Sequence, residues 1–340
     1  MKPLSRRQFV QAASAAAAVG VAHALWAQAR PEKRQLTLAV DDRASLLHLP
    51  LVLADQLGYF RAEGVQVLLA DIAAPTPPWQ ALSSGADVVA GSFEQVLQQQ
   101  ARGHGLRAFV VQTRAPQAVL GVSPKAMPHF RDIRDLGGRR IGVTLLGSPS
   151  HRLVLQMLSR SEAPVGGVEF MELGPGWGAL NAYRSTQIDA LCHADPLVSM
   201  LEQHGEIRVI ADTRSYSETV ALFGGPLPSS CLYTSEAFAA SHPQTCEALA
   251  HGMVRALKWL QTASLSDIIK AVPERLLGDR ALYLAAFNKA RSSYTTDGLM
   301  PANGPQTLQQ HLARFDETLR GATLDLPRAF SNEMAARAKA

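Results

Sequence analysis

The sequence predicts an α/β protein built as two similar lobes followed by a helical tail. Between Leu36 and Ala211, short apolar runs alternate with longer stretches of helical period, the pattern of strands feeding helices. A short motif recurs within that stretch. Ala81-Leu82 precedes Gly85-Ala86-Asp87-Val88-Val89, and Ala179-Leu180 precedes Gln187-Ile188-Asp189-Ala190-Leu191, so an acidic residue opens a buried strand in each half. From Pro243 onward helical spacing takes over.

In the first half, Leu36 to Val40 reads as a strand and Leu49 to Leu57 as a helix closed by Gly58. Val65 to Leu69 is the second strand, Pro75 to Pro78 a turn, and Trp79 to Leu82 a short helix. Ala86 to Ala90, a helix over Glu94 to Ala101, and a strand over Ala108 to Gln112 complete the series. The second half begins after Val119 to Val122. Its strands are Arg140 to Thr144, Val168 to Met171, Ile188 to Leu191 and Ile207 to Ala211, and its helices are Ser150 to Leu158, Trp177 to Tyr183 and Pro196 to Gln203. In the tail, Pro243 suits a first helical turn, and Cys246, Leu249, Met253, Leu257 and Leu260 recur at steps of three and four. Ser264 with Asp267 forms a capping-box pattern, and a last helix runs from Thr307 to Leu319. Such a tail is expected to pack back on the first lobe.

The N-terminus has a different character. Arg6 and Arg7 precede Phe9, an Ala-rich run spans Ala12 to Val21, and Ala27-Gln28-Ala29 follows. Basic head, apolar run and A-x-A exit are the layout of an export signal, and the paired arginines mark the twin-arginine route. Cleavage is expected near Ala29, with the mature chain in the periplasm. Removing residues 1–29 takes away Lys2, Arg6 and Arg7 and no acid, which erases most of the formal net charge of +4. No nucleic-acid footprint is left. The remaining chain suits two domains of roughly 100–200 residues each, and no second long apolar run marks a membrane span. Cys192, Cys231 and Cys246 are too few and scattered for a disulfide framework or a zinc site, so three buried thiols are expected.

In doubly wound sheets, ligands sit beyond the carboxyl ends of the strands. That rule selects Asp42, Arg43 and His48 after the first strand, and Ser92, Phe93 and Glu94 after the third. In the second half it selects Gly147, Ser148, Ser150 and His151, then His193 and Asp195. Gly147 to His151 combines glycine, two hydroxyls and a helix start, which favours an anionic group such as a carboxylate or sulfonate. The plainer alternative is that Ser148 or Ser150 only caps the helix. His193 and Asp195 are candidates for a hydrogen-bonded pair, while Asp195-Pro196 is equally a plain helix start. Arg43 and Arg114 are candidates to neutralise an anion, and Trp177, in the turn Gly174 to Gly178, is a candidate cleft wall. There is no G-x-S-x-G elbow, P-loop or H-E-x-x-H, so no motif marks an enzyme, a metal or a cofactor.

Several stretches together resemble the solute-binding components of ABC importers of the nitrate/sulfonate/taurine (NitT/TauT) type. These are Leu49-Pro50-Leu51, Leu57 to Phe60 with Glu63-Gly64-Val65, Ala81-Leu82 to Asp87-Val88, Asp135 to Val143, and Gly147-Ser148. Ile188-Asp189-Ala190, Asp195-Pro196, Ala256 to Leu260 and Asp297 to Pro301 extend the likeness over nearly all of the mature chain. The resemblance implies a two-lobed periplasmic-binding-protein fold, type II-like, with two crossover strands near Ala118 and Val220. Lobe 1 would comprise residues 36–118 and 221–326, lobe 2 residues 119–220, and the C-terminal tail residues 327–340. It also implies a monomer that captures a small organic or oxyanionic solute between the lobes, with Ser92, Ser148 and His193 at family contact positions, and passes it to an inner-membrane permease with its ATPase. A thiamine-pyrimidine synthase group is similar too, but its cysteine-rich motif is missing. The competing expectations are an exported enzyme with His151 or His193 as base, and a solute-sensing subunit.

Overall fold

The structure, a computed structural model, describes residues 30–72, 76–161, 167–174 and 176–338. The export signal expected over 1–29, Pro75 of the predicted turn, Pro175, and the last two residues of the tail lie outside the described residues.

Two five-stranded sheets organise the chain. The first contains β1 (Gln35–Val40), β2 (Gln66–Asp71), β3 (Val88–Ser92), β4 (Leu106–Val111) and β10 (Ser230–Ser235), in the order β2-β1-β3-β10-β4. The second contains β5 (Val119–Val122), β6 (Arg140–Val143), β7 (Glu169–Glu172), β8 (Ala190–His193) and β9 (Arg208–Asp212), in the order β7-β6-β8-β5-β9. The two orders are the same arrangement. Three parallel strands lie side by side, an antiparallel strand from a chain crossing comes next, and the last strand of the series closes the edge.

The recurring acidic motif has one physical job in both lobes. Asp87 N–H donates to Thr37 O at 2.8 Å while its carboxylate accepts from Thr37 N–H at 3.0 Å. Asp189 N–H donates to Arg140 O at 2.8 Å while its carboxylate accepts from Arg140 N–H at 2.9 Å. Each aspartate thus stitches the start of one parallel strand to its neighbour. The residue before each turn echoes too, with Ala86 N–H on Ala81 O and Gln187 N–H on Ala182 O, both at 3.0 Å. These side-chain bonds delay the regular ladder. β3 and β8 therefore begin two residues later than hydrophobicity alone places them, which carries Ser92 and His193 onto the strand ends.

The helices relevant here are α1 (Leu49–Gln56), α2 (Tyr59–Ala62), α3 (Phe93–Ala101), α4 (Pro149–Arg160), α5 (Gly178–Arg184), α6 (Leu197–Gln203), α7 (Tyr216–Phe223), α8 (Glu236–Ser241) and α9 (Pro243–Thr262). They continue with α10 (Leu265–Ala271), α11 (Glu274–Leu277), α12 (Arg280–Ala290), α13 (Gly304–Phe315), α14 (Glu317–Arg320), α15 (Leu326–Ala329) and α16 (Glu333–Ala336). The chain passes between the sheets at 112–118 and again at 213–229. Val220 lies inside α7, and the returning strand is β10, a strand that the apolar pattern does not announce.

The tail packs on the first sheet. Cys246, Leu249, Met253, Leu257 and Leu260 of α9 are fully buried in one core with Leu38, Leu53 and Phe60. Burial of each large aliphatic side chain there contributes about 1.5–3 kcal/mol. Ser264 and Asp267 form the predicted capping box at the start of α10. A second core lies on the opposite face of the first sheet around Phe93, Tyr233 and Leu308, and two more flank the second sheet. Cys192, Cys231 and Cys246 are free and buried, and burial pushes the Cys246 thiol up to about 12. Among the described residues, no helix is long and apolar enough to cross a membrane.

Candidate solute-binding cleft

The carboxyl ends of the parallel strands in both sheets open on one cleft of about 1050 Å³. Asp41 and Asp42 follow β1 and Ser92 ends β3 in lobe 1, and Thr144 follows β6 and His193 ends β8 in lobe 2. The fold thus brings together eleven of the expected site residues: Asp42, His48, Ser92, Glu94, Gly147, Ser148, Ser150, His151, Trp177, His193 and Asp195.

Three do not join them. Arg43 turns to its own lobe and donates to Asp71 at 2.6 Å. Phe93 is wholly buried in the core beneath α3, because the first residue of that helix faces the sheet. Arg114 donates to Ser292 O at 3.1 Å and lies over the Tyr216 ring at 4.0 Å.

The loop Gly147 to His151 also differs from the anion cradle expected of it. Leu146 N–H donates to Glu172 Oε1 at 2.7 Å, Gly147 N–H to His151 Nδ1 at 3.0 Å, and Ser148 N–H to Leu145 O at 3.1 Å. Ser148 Oγ accepts the long cap bond from His151 N–H, and Pro149 has no N–H to offer. The Thr144, Ser148 and Ser150 hydroxyls bond one another at 2.8–3.0 Å. Ser148 therefore caps the helix, while Ser150 Oγ accepts from Thr144 N–H at 3.0 Å. The start of α3 is closed in the same way, with Phe93 N–H on Ser229 O at 2.7 Å and Glu94 N–H on Ser92 Oγ at 3.1 Å.

His193 and Asp195 do not pair. The His193 ring nitrogens lie 3.1 Å from Ala194 O and 3.2 Å from Gly174 O. Asp195 accepts from Ser199 N–H at 2.8 Å and from Arg214 at 3.2 Å, the helix-start alternative. Arg214 also holds Glu202, which takes Lys289 at 2.7 Å and so ties α6 to α12 across the lobes.

Sequence reasoning missed Arg152. It is 3% exposed, projects from α4 of lobe 2 and donates to Glu94 of lobe 1 at 3.2 Å, with Asp316 at 3.5 Å. Asp41 was passed over as well, although its carboxylate lies 2.7 Å from His48 Nε2. For Arg152 the sequence offers its place in the first turn of the helix after β6, and for Asp41 only adjacency to Asp42. Burial raises the Glu94 carboxyl above its ordinary value, with Arg152 working against that rise. Burial likewise raises Asp42. Burial pulls His193 down, and pulls His151 down to about 4 with the Arg152 charge adding to the effect, so both rings are neutral near pH 7.

Two α/β lobes of the same strand order, enclosing a cleft at their strand ends, are the two-lobed periplasmic-binding-protein fold. The chain belongs to the NMT1/THI5 like family, whose model matches residues 46–263. It is similar to a structure from Bordetella bronchiseptica RB50, with 42% identity over 91% of this chain and 98% of that one and a TM-score of 0.85. It shares the fold of the alkanesulfonate-binding protein SsuA from Xanthomonas axonopodis pv. citri bound to MOPS, with 20% identity over 90% and 98% of the two chains and a TM-score of 0.66. The periplasmic nitrate-binding protein NrtA from Synechocystis PCC 6803 gives 10% identity over 91% and 89%, with a TM-score of 0.67. No curated protein matches the chain.

Proposed function

We propose that the chain is the solute-binding component of an ABC importer. It takes a small solute into the interlobe cleft and passes it unaltered to a membrane permease powered by its ATPase. In this reading residues 1–29 direct export by the twin-arginine route, and the mature chain, with lobe 1 as 36–118 and 221–326 and lobe 2 as 119–220, works in the periplasm. The carrying observation is that both lobes contribute polar residues to one cleft of about 1050 Å³, a size that suits small molecules. A solute touching both walls favours the closed arrangement of lobes that two chain crossings connect.

The arrangement of His151 and His193, the two candidate bases, favours binding over chemistry, whereas His48 in the same cleft has Asp41 2.7 Å from Nε2 and Ser230 Oγ 3.3 Å from Nδ1. A nucleophile–base pair needs an aligned hydrogen bond and an orienting acid. His151 Nδ1 accepts from Gly147 N–H, and the His193 nitrogens face carbonyl oxygens, so neither ring addresses a hydroxyl through its side chain among the described residues.

A thermal-shift screen of small solutes on the mature protein tests this. A cognate solute at about 100 times its dissociation constant adds about 2.7 kcal/mol of stability. At about 2.1 cal/mol/K of unfolding entropy per residue, that raises the melting temperature of a chain this size by about 4 °C. Recovery of the solute chemically unchanged is the expected outcome, and a converted solute would show that the cleft is an active site.

A further inference from the structure

We infer that the cleft favours a solute whose polar end is a protonated amine, amidine or guanidine over an oxyanion. This rests on the solute-binding reading and names the chemical class that reading leaves open.

Most of the groups an oxyanion needs are already engaged, although Arg102 in the cleft wall has no ion-pair partner among the described residues. Among the described lining residues the full positive charges are Arg102 and Arg152. Arg152 is buried against two carboxylates, Glu94 and Asp316. The backbone donors of Leu146, Gly147 and Ser148 at one helix start, and of Phe93 and Glu94 at the other, bond to oxygen or nitrogen acceptors of the protein itself, which among the described residues leaves Ser150 N–H as the first-turn donor of α4 without one. The His151 and His193 imidazoles, pulled down by burial, carry no charge near pH 7.

Acceptors and negative charge remain. Six carboxylates line the cleft, those of Asp41, Asp42, Glu94, Glu172, Asp195 and Asp316. Asp42 has no ion-pair partner among the described residues, and the one hydrogen bond to its carboxylate comes from Ala44 N–H at 3.0 Å. Partly buried and unpaired, it pays desolvation that a cation in the cleft would offset. Trp177, 53% exposed at the rim, adds a ring face on which a cation can rest.

The test uses charge-matched sets on the mature full chain, read by thermal shift and then calorimetry. Benzamidine, benzamide, benzoate and benzenesulfonate share one ring, and agmatine is set against pentanesulfonate. The expected result is greater stabilisation by benzamidine or agmatine than by their anionic counterparts. Asp42→Asn should weaken the cation by at least about tenfold. The unliganded melting temperature of Asp42→Asn shows whether it folds, and Glu94→Gln, which uncovers Arg152, should shift preference toward benzoate. Benzoate or a sulfonate binding the wild type better than its cationic match overturns the charge assignment and leaves solute binding standing, as does a neutral member binding best. Silence from every charge class counts against both.

Discussion

Glu94 and Arg152 show how far a residue's role depends on folding. Each is an unremarkable charge on its own helix, and 58 positions separate them in the chain. Only the crossing of the two lobes makes them a buried pair, so sequence spacing carried no sign of it. Glu94 was legible as a cleft residue from its place after β3, whereas its partner was not. Gly147 to His151 was legible as a polar loop at a helix start. That its donors close on the loop itself depends on the turn's shape, which composition does not fix. His311 of α13 offers a prediction at this scale. It is buried edge-on to Phe223 at 4.9 Å, and burial first, then Arg152, lowers it to about 3 from 6.5. The folded chain keeps this ring neutral while the unfolded chain protonates it as pH falls through 6.5. Its contribution is complete above that value and is lost toward pH 3, amounting to about 2 kcal/mol between about pH 8 and pH 5. Urea unfolding of His311→Phe across that range should therefore give a flatter stability profile than the wild type. An unchanged slope would mean that other groups govern acid lability.

At the scale of elements, what the sequence made legible was whatever follows a period. The strand–helix alternation, the amphipathic spacing of α9 and the capping box at Ser264 all appear where expected, because each is a local pattern with a local cause. β10 was not legible. It inserts antiparallel between β3 and β4, and its buried Ser230 and Thr234 are satisfied by Gln112 at 2.8 Å and by Asp87 O at 2.6 Å. A strand whose polar residues are paired inside the core shows no apolar alternation. Gly252 on α9 makes a second prediction. A Cβ there would stand 2.6 Å from Phe60 Cδ1 and 3.3 Å from Phe60 N, where α9 crosses α2. Gly252→Ala should lower stability by about 1–3 kcal/mol through overpacking, although alanine favours a helix by about 1 kcal/mol. A denaturation midpoint at or above that of the wild type would show that Phe60 can move aside.

For the whole molecule, the repeat of an aspartate at the head of a strand was a true trace of the architecture. Asp87 and Asp189 make the same backbone stitch in two sheets of the same strand order. Duplication of that plan brings two sets of strand ends together, which creates the cleft. The charge character of the cleft was the illegible part, since it depends on which donors and acceptors neutralise one another across lobes. Lobes bridged by Arg152–Glu94 on one side and Lys289–Glu202 on another are held by ionic contacts at several points. The central claim, that one solute sits between the lobes and leaves unchanged, is most directly tested by stoichiometric titration of the wild type and Ala194→Trp. Ala194 is a half-buried cleft residue, so tryptophan there fills the space while leaving both cores alone. The account predicts one solute per wild-type chain, recovered intact, and none bound by the folded variant. Equal binding by Ala194→Trp, or a solute returned altered, would contradict it.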